Sequence, residues 1–303
     1  MMKKIVYKLF LVVVFILRKL PRSMERAFFR FVAYLGYLFA RKTNKIIETN
    51  LNFVFNNSLS KSEIKNIQKY SYFNLVLWAQ SMIENLDLTD EELKNTVSIE
   101  NVHIIENLKK QGIPLIFISA HYGNIEMLSS YINRFVIPVY QVARESNFQE
   151  IDEFIIKARE ASGSKIIFRS GAIKTLVKAM IKKEAVSLII DQNINSREGE
   201  EVEFLGKMAY QSSSSANLSR KFGAYIIPIA IFNQNNYKYK IKVYEPIIPI
   251  KTEDEKEDIK RIAQLEANAI SAIIYEDKKQ WFWAHKRFKS HYKEIYEKNS
   301  NNK

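Results

Sequence analysis

The 303-residue chain has no cysteine. That absence removes disulfide frameworks, thiolate metal sites and cysteine nucleophiles together. Histidine is almost as scarce: any imidazole chemistry must come from His103, His121, His285 or His291. The first 45 residues hold one acid, Glu25, against eleven Lys and Arg. Their apolar run Leu9–Leu17 (LFLVVVFIL) falls short of the roughly 20 residues that a spanning helix needs. No small-residue cleavage site of the A-x-A kind follows it; Leu20-Pro21-Arg22 comes instead, then a second apolar stretch, Ala27–Ala40. An uncleaved membrane anchor therefore accounts for this end better than a removed signal peptide. Whether it spans or lies in the interface stays open at this level.

What is present narrows the class further. With 47% apolar residues the chain has material for a large core, which excludes a disordered protein. The net charge of +13 is unevenly placed: residues 1–45 carry +10, residues 278–303 carry +6, and the stretch between carries −3. An enzyme working on nucleic acid would place basic residues around its working site. Basic ends on a slightly acidic body suit an anionic membrane surface instead. Two segments follow, a basic apolar anchoring segment (1–45) and one domain (46–303).

Residues 46–95 read as helical, with a capping box at Ser60 and Glu63. From about residue 97 short β-branched runs alternate with amphipathic stretches. Strands are expected at 113–119, 136–140, 165–168, 185–190, 225–232 and 238–244. Helices are expected near 101–110, 124–133, 148–161, 171–183, 211–222 and 254–277. Lys251–Lys260 reads as a solvated helix start, and the tail Asn299–Lys303 as frayed. The alternation predicts an α/β fold with a largely parallel sheet covered on both faces.

In such folds reactive groups collect at the carboxyl ends of strands. The apolar run 113–119 leads directly into Ala120-His121-Tyr122-Gly123-Asn124-Ile125-Glu126. His121 is thus a strand-end imidazole, Gly123 permits a tight turn and Asn124 is an N-cap for the next helix. Glu126, in that helix's first turn, is placed to fold back onto His121 and orient it as a general base. A histidine that caps a helix or fills the core is the competing reading. Asn124 serves equally as cap or as a group positioning the acceptor. Asp191 also ends a strand and suits holding an arginine, a substrate hydroxyl or a turn. Arg144, near a strand end, suits a phosphate or an exposed surface. Trp281, Trp283, His285, Lys286 and Arg287 form a basic aromatic cluster that fits a membrane interface or a buried segment equally.

His-x4-Glu after an apolar strand, written here as HYGNIE, resembles the motif of the bacterial lipid A late acyltransferases. The similarity extends to the basic apolar N-terminus, Val142–Gly163, Asp191-Gln192-Asn193, Val202–Gly206, Phe222-Gly223-Ala224 and Gln280–Lys289. It implies transfer of a fatty acyl group from acyl carrier protein to a hydroxyacyl chain of a lipid A precursor at the inner, cytoplasmic membrane. It implies His121 and Glu126 as the base, and Arg159, spaced to Gly163 as in the family, as a phosphate or oxyanion ligand. It implies neither metal nor organic cofactor, and no nucleic-acid partner. A glycerophospholipid acyltransferase shares His-x4-acid chemistry, but Ser196-Arg197-Glu198-Gly199-Glu200 lacks that family's Pro and Thr-Arg. A non-catalytic protein that binds anionic lipid is a third reading, and it leaves the His/Glu pair without a role.

Overall fold

The computed structural model describes residues 2–145, 149–168 and 171–297. Three helices open the chain: α1 (Met2–Lys19), α2 (Arg22–Phe39) and α3 (Arg41–Val54). Pro21 ends α1, because proline restricts the residue before it and then starts a helix readily. α4 (Lys61–Glu84) begins on the expected capping box: Ser60 Oγ accepts the Glu63 N–H at 3.2 Å, and the Glu63 carboxylate accepts the Ser60 N–H at 2.9 Å. α5 (Asp90–Thr96) uses the same device with Thr89 and Glu92. Then follow β1 (Val97–Glu100), α6 (Val102–Lys110), β2 (Leu115–Ser119), α7 (Ile125–Tyr131), β3 (Val139–Ala143), α8 (Gln149–Ala161), β4 (Lys165–Phe168), α9 (Ala172–Ile181) and β5 (Ala185–Ile189). The remainder is β6 (Gly199–Phe204), β7 (Lys207–Ser212), α10 (Ser214–Phe222), β8 (Tyr225–Asn233), β9 (Tyr239–Val243), α11 (Glu255–Glu276) and α12 (Glu294–Glu297).

Seven strands form one sheet in the order β1-β9-β8-β2-β5-β3-β4. From β8 to β4 all neighbours are parallel, β9 runs antiparallel to β8, and β1 is parallel to β9. This is the expected mixed α/β architecture with a mostly parallel sheet. β2 lies at the middle and is buried along its whole length. Its side chains alternate between two cores. Ile116, Ile118 and Ala120 join the face covered by α9, α10 and α11, while Leu115 and Phe117 join the face covered by α4, α6 and α7. Each fully buried Ile, Leu or Phe contributes roughly 1.5–3 kcal/mol, so the face assignment of every strand is strongly fixed.

Some expectations need correction. Residues 211–212 close β7 rather than opening the helix, which starts at Ser214. The hairpin β6–β7 turns at Leu205-Gly206, both at positive φ, and buries Val202, Phe204, Ala209 and Gln211 with a period of two. β1 adds a seventh strand that the alternation does not predict, because among its four residues only Val97 is buried. Residue 148, the expected start of the helix 148–161, and the tail 299–303 lie outside the described residues. No helix among the described residues is long and apolar enough to cross a membrane. α1 and α2 pack instead on the α4 face: Val14, Leu17 and Phe29 meet Ile83 of α4 and Phe154 of α8.

Candidate active site

The site forms where β2 and β5 end side by side. Ser119 pairs with Ile189, and the Ile190 N–H bonds Ser119 O at 3.1 Å. Two residues further on, this register brings His121 and Asp191 together. Asp191 Oδ1 lies 2.8 Å from His121 Nδ1, and Oδ2 accepts the His121 backbone N–H at 2.9 Å. The indole N–H of Trp281 donates to the same Oδ2 at 2.7 Å. Asp191 is fully enclosed. Burial alone would raise its carboxyl, but His121 and the N–H donors outweigh burial and hold it down at about 2. On His121 burial opposes protonation, yet the charge and hydrogen bond of Asp191 leave its pKa above the ordinary value. With the Asp191 carboxylate accepting the Nδ1–H hydrogen bond, Nε2 is the basic nitrogen, and the Gln192 side-chain amide lies 3.4 Å from it. The side chain keeps 21% exposure, so a substrate hydroxyl has a route to it.

The turn itself is fixed from several sides. Gly123 has φ +55°, and a Cβ there would lie 1.9 Å from Ile231 O, so only glycine fits. Its N–H donates to Gln280 O at 3.0 Å and its carbonyl accepts Trp78 Nε1 at 2.6 Å. Asn124 is buried and caps α7 by accepting the Met127 N–H, and its amide donates to Ser81 Oγ at 2.8 Å. The expected capping role of Asn124 is therefore present. Rings of Trp78 and Phe282 flank the imidazole at 5.9 and 6.4 Å.

Glu126 does not fill the place expected of it. The carboxylate bonded to His121 is that of Asp191, and Glu126 instead forms a two-point pair with Arg159: Nη2 to Oε1 at 2.6 Å and Nε to Oε2 at 3.1 Å. The reason is direction: a first-turn residue of α7 points to the α8 side of the sheet, whereas His121 leans toward β5. Arg159 feels burial most, and the facing Glu126 carboxylate overrides it to hold the guanidinium firmly charged. Asp191 likewise holds His121 rather than Arg159. Arg144 lies one residue past β3 and is exposed.

Glu126 and Arg159 line an apolar cavity with Phe117, Leu128, Ile132, Val139, Ile189 and Ile229. Ser119 and Ile125, on either side of the His121 turn, also line it, so the cavity borders that turn. Ser119 Oγ is buried there without a hydrogen-bond partner.

The aromatic cluster near the C-terminus is a buried clamp, not an exposed interface. Trp281, Trp283 and Arg287 are at most 1% exposed. Beyond the Trp281 bond, His285 Nε2 accepts the Asn193 N–H at 2.8 Å, Arg287 Nη1 donates to Gln192 O at 3.0 Å, and the Phe282 N–H reaches His121 O at 2.9 Å. The segment thus grips both strand-end turns. Burial, with Arg287 and His121 nearby, pushes His285 below its ordinary pKa despite Asp191, which keeps Nε2 an acceptor. The bond of Trp281 to Asp191 has no local signature in the sequence.

No group of three or more potential metal ligands occurs among the described residues. Among curated proteins, none matches the chain. The family model of the bacterial lipid A biosynthesis acyltransferases, by contrast, matches residues 1–290. An oriented imidazole beside an apolar cavity and a match over nearly the full length agree, and the chain belongs to the bacterial lipid A biosynthesis acyltransferase family.

Proposed function

We propose that the protein transfers a fatty acyl chain from acyl carrier protein to a hydroxyacyl chain of a lipid A precursor, forming a secondary ester. The observation that carries the mechanism is the His121–Asp191 dyad, with Nε2 on the side away from Asp191 and only the Gln192 amide, at 3.4 Å, against it. The acceptor hydroxyl donates its proton to His121 Nε2 as its oxygen attacks the thioester carbonyl. Asp191 stabilises the imidazolium that forms. The tetrahedral intermediate collapses, the C–S bond breaks, and the proton passes from His121 to the thiolate. The cavity takes the apolar acyl chain. Arg159, held by Glu126, faces the developing oxyanion or an acceptor phosphate.

The site of action we infer is the inner-membrane surface. Leu9, Val12, Phe15 and Ile16 of α1, and Phe28, Phe31 and Phe39 of α2, are exposed on helices rich in Lys and Arg. That composition favours insertion of an apolar face into an anionic interface. Anionic vesicles are expected to co-float with the protein more strongly than neutral ones.

The test supplies acyl carrier protein thioesters and a tetra-acylated, phosphorylated lipid A precursor to the purified protein in detergent. A new secondary acyl chain, lost in His121→Ala, supports the reading. Retained activity in that variant overturns the mechanism, and acylation of lysophosphatidate alone would replace the substrate.

A further inference from the structure

α9 presents two parallel stripes to solvent. Ile173 and Ile181 are 73% and 67% exposed, with half-buried Val177 midway between them. Lys174, Lys178 and Lys182 form the neighbouring stripe, each exposed. Residues four apart stand above one another on a helix, so an apolar strip runs beside a basic one. The opposite side of α9, through Ala172, Leu176, Ala179 and Met180, already supplies the core contacts. The outward isoleucines are not part of that core.

The lysine stripe is unbalanced. No ion pair among the described residues uses Lys174, Lys178 or Lys182. Residues 165–184 contain six basic side chains and one acid, Glu184, which pairs with Lys165 and feels Lys182, inside a body, 46–277, whose net charge is −3. Like charges four apart on a helix repel and destabilise it. An anionic partner relieves that repulsion, and the isoleucines supply its apolar anchor.

We propose that this face of α9 docks the small acidic carrier protein that bears the acyl thioester; the assignment rests on the donor named under the proposed function. Position favours a protein over a bilayer. α1 and α2, with their exposed apolar side chains, pack on α4, and Val14, Leu17 and Phe29 also meet Phe154 of α8, while α9 packs against β3, β4, β5 and α10. A membrane engaging α1 and α2 thus leaves α9 free. The amino end of α9 follows β4 at the same end of the parallel strands as His121 and Asp191. Ile189, which lines the cavity, is itself 43% exposed at that end. The cavity lies on the α7 face, where Phe117 and Leu128 line it, so the acyl arm of a carrier seated along α9 reaches it over the carboxyl ends of the strands.

The experiment compares wild type with K174E/K178E/K182E, all three at exposed positions away from the dyad. The probes are fatty-acyl carrier protein, the same acyl chain on pantetheine, and anionic phosphatidylglycerol vesicles. Binding of acyl carrier protein is measured by surface plasmon resonance at low and high salt. The expected result is at least about a tenfold loss of carrier affinity in the variant, salt-sensitive binding in wild type, and a matching rise in KM. Transfer from acyl pantetheine stays unchanged, with the melting temperature retained. Unchanged carrier binding in the variant overturns the proposal. So does a variant that keeps the carrier and loses vesicles, which would assign α9 to the membrane. Transfer from acyl pantetheine reports the catalytic reading separately, so failure of docking and failure of function give different results.

Discussion

Asp191 holds His121 at two points, ring Nδ1 at 2.8 Å and backbone N–H at 2.9 Å, so one carboxylate fixes both the position and the tautomer of the imidazole. The partners lie 70 residues apart in sequence and come together because β2 and β5 are neighbours in register.

Removing that charge has a definite sign. Asp191 raises the His121 pKa against burial, so a neutral Asp191→Asn leaves burial to lower it. Since the base must be unprotonated, kcat/KM of wild type rises with pH through a value above the ordinary 6.5 of histidine. In D191N the acid limb moves to lower pH, and the plateau falls by roughly 10²–10⁴-fold. A pH profile of transfer checks both. An unshifted limb would remove Asp191 from the dyad.

Trp281→Phe tests the same carboxylate with the opposite sign. The indole N–H at 2.7 Å shares the charge of Asp191 Oδ2. Without it more of that charge acts on His121, so the acid limb shifts to higher pH. A rate loss of about tenfold accompanies the shift, because the strand-end turn is less firmly held. A purely structural role for Trp281 would lower the amount of active protein and leave the limb in place.

Glu126 and Arg159 stand or fall as a pair. Their side chains are 3% and 21% exposed. Arg159→Ala leaves a buried carboxylate unpaired and is expected to destabilise the fold by about 3 kcal/mol. The double variant E126Q/R159Q is expected to lose clearly less than the sum of its single changes, measured by denaturant unfolding. Arg159→Lys retains charge without the two-point geometry. It should restore most of the stability but little of the rate.

Much of this architecture was legible in the sequence because each element obeys a local rule. The Ser60–Glu63 box starts α4, and continuous apolar runs mark β2 and β8 as doubly buried. His121, Gly123 and Asn124 follow from strand end, tight turn and cap. The partner of His121 was not legible, since choosing Asp191 over Glu126 requires strand order. In sequence β2 is followed by β3 and β4, yet β5 sits beside it in the sheet. Sequence proximity favoured Glu126, and helix direction decided against it. The Trp281 clamp was hidden for the same reason: a Trp beside Lys and Arg has one composition whether it faces lipid or lies at 1% exposure under the His121 turn.

A second buried carboxyl gives a prediction about stability rather than rate. Glu266 of α11 is fully enclosed, with one oxygen accepting from Gln211 Nε2 at 3.2 Å and Oε1 unpartnered. Burial pushes its pKa from 4.5 to about 8. As pH rises between those values the unfolded chain releases a proton that the folded protein retains, so this group makes stability fall with increasing pH. A glutamine amide copies the neutral carboxyl without that linkage. Glu266→Gln is therefore expected to change the melting temperature little at pH 5 and to raise it at pH 8, by an amount corresponding to roughly 2 kcal/mol. Melting curves across that range check the sign. A gain of equal size at both pH values would mean that Glu266 is already ionised in the fold, with its charge compensated within the space between α11, β7 and α10.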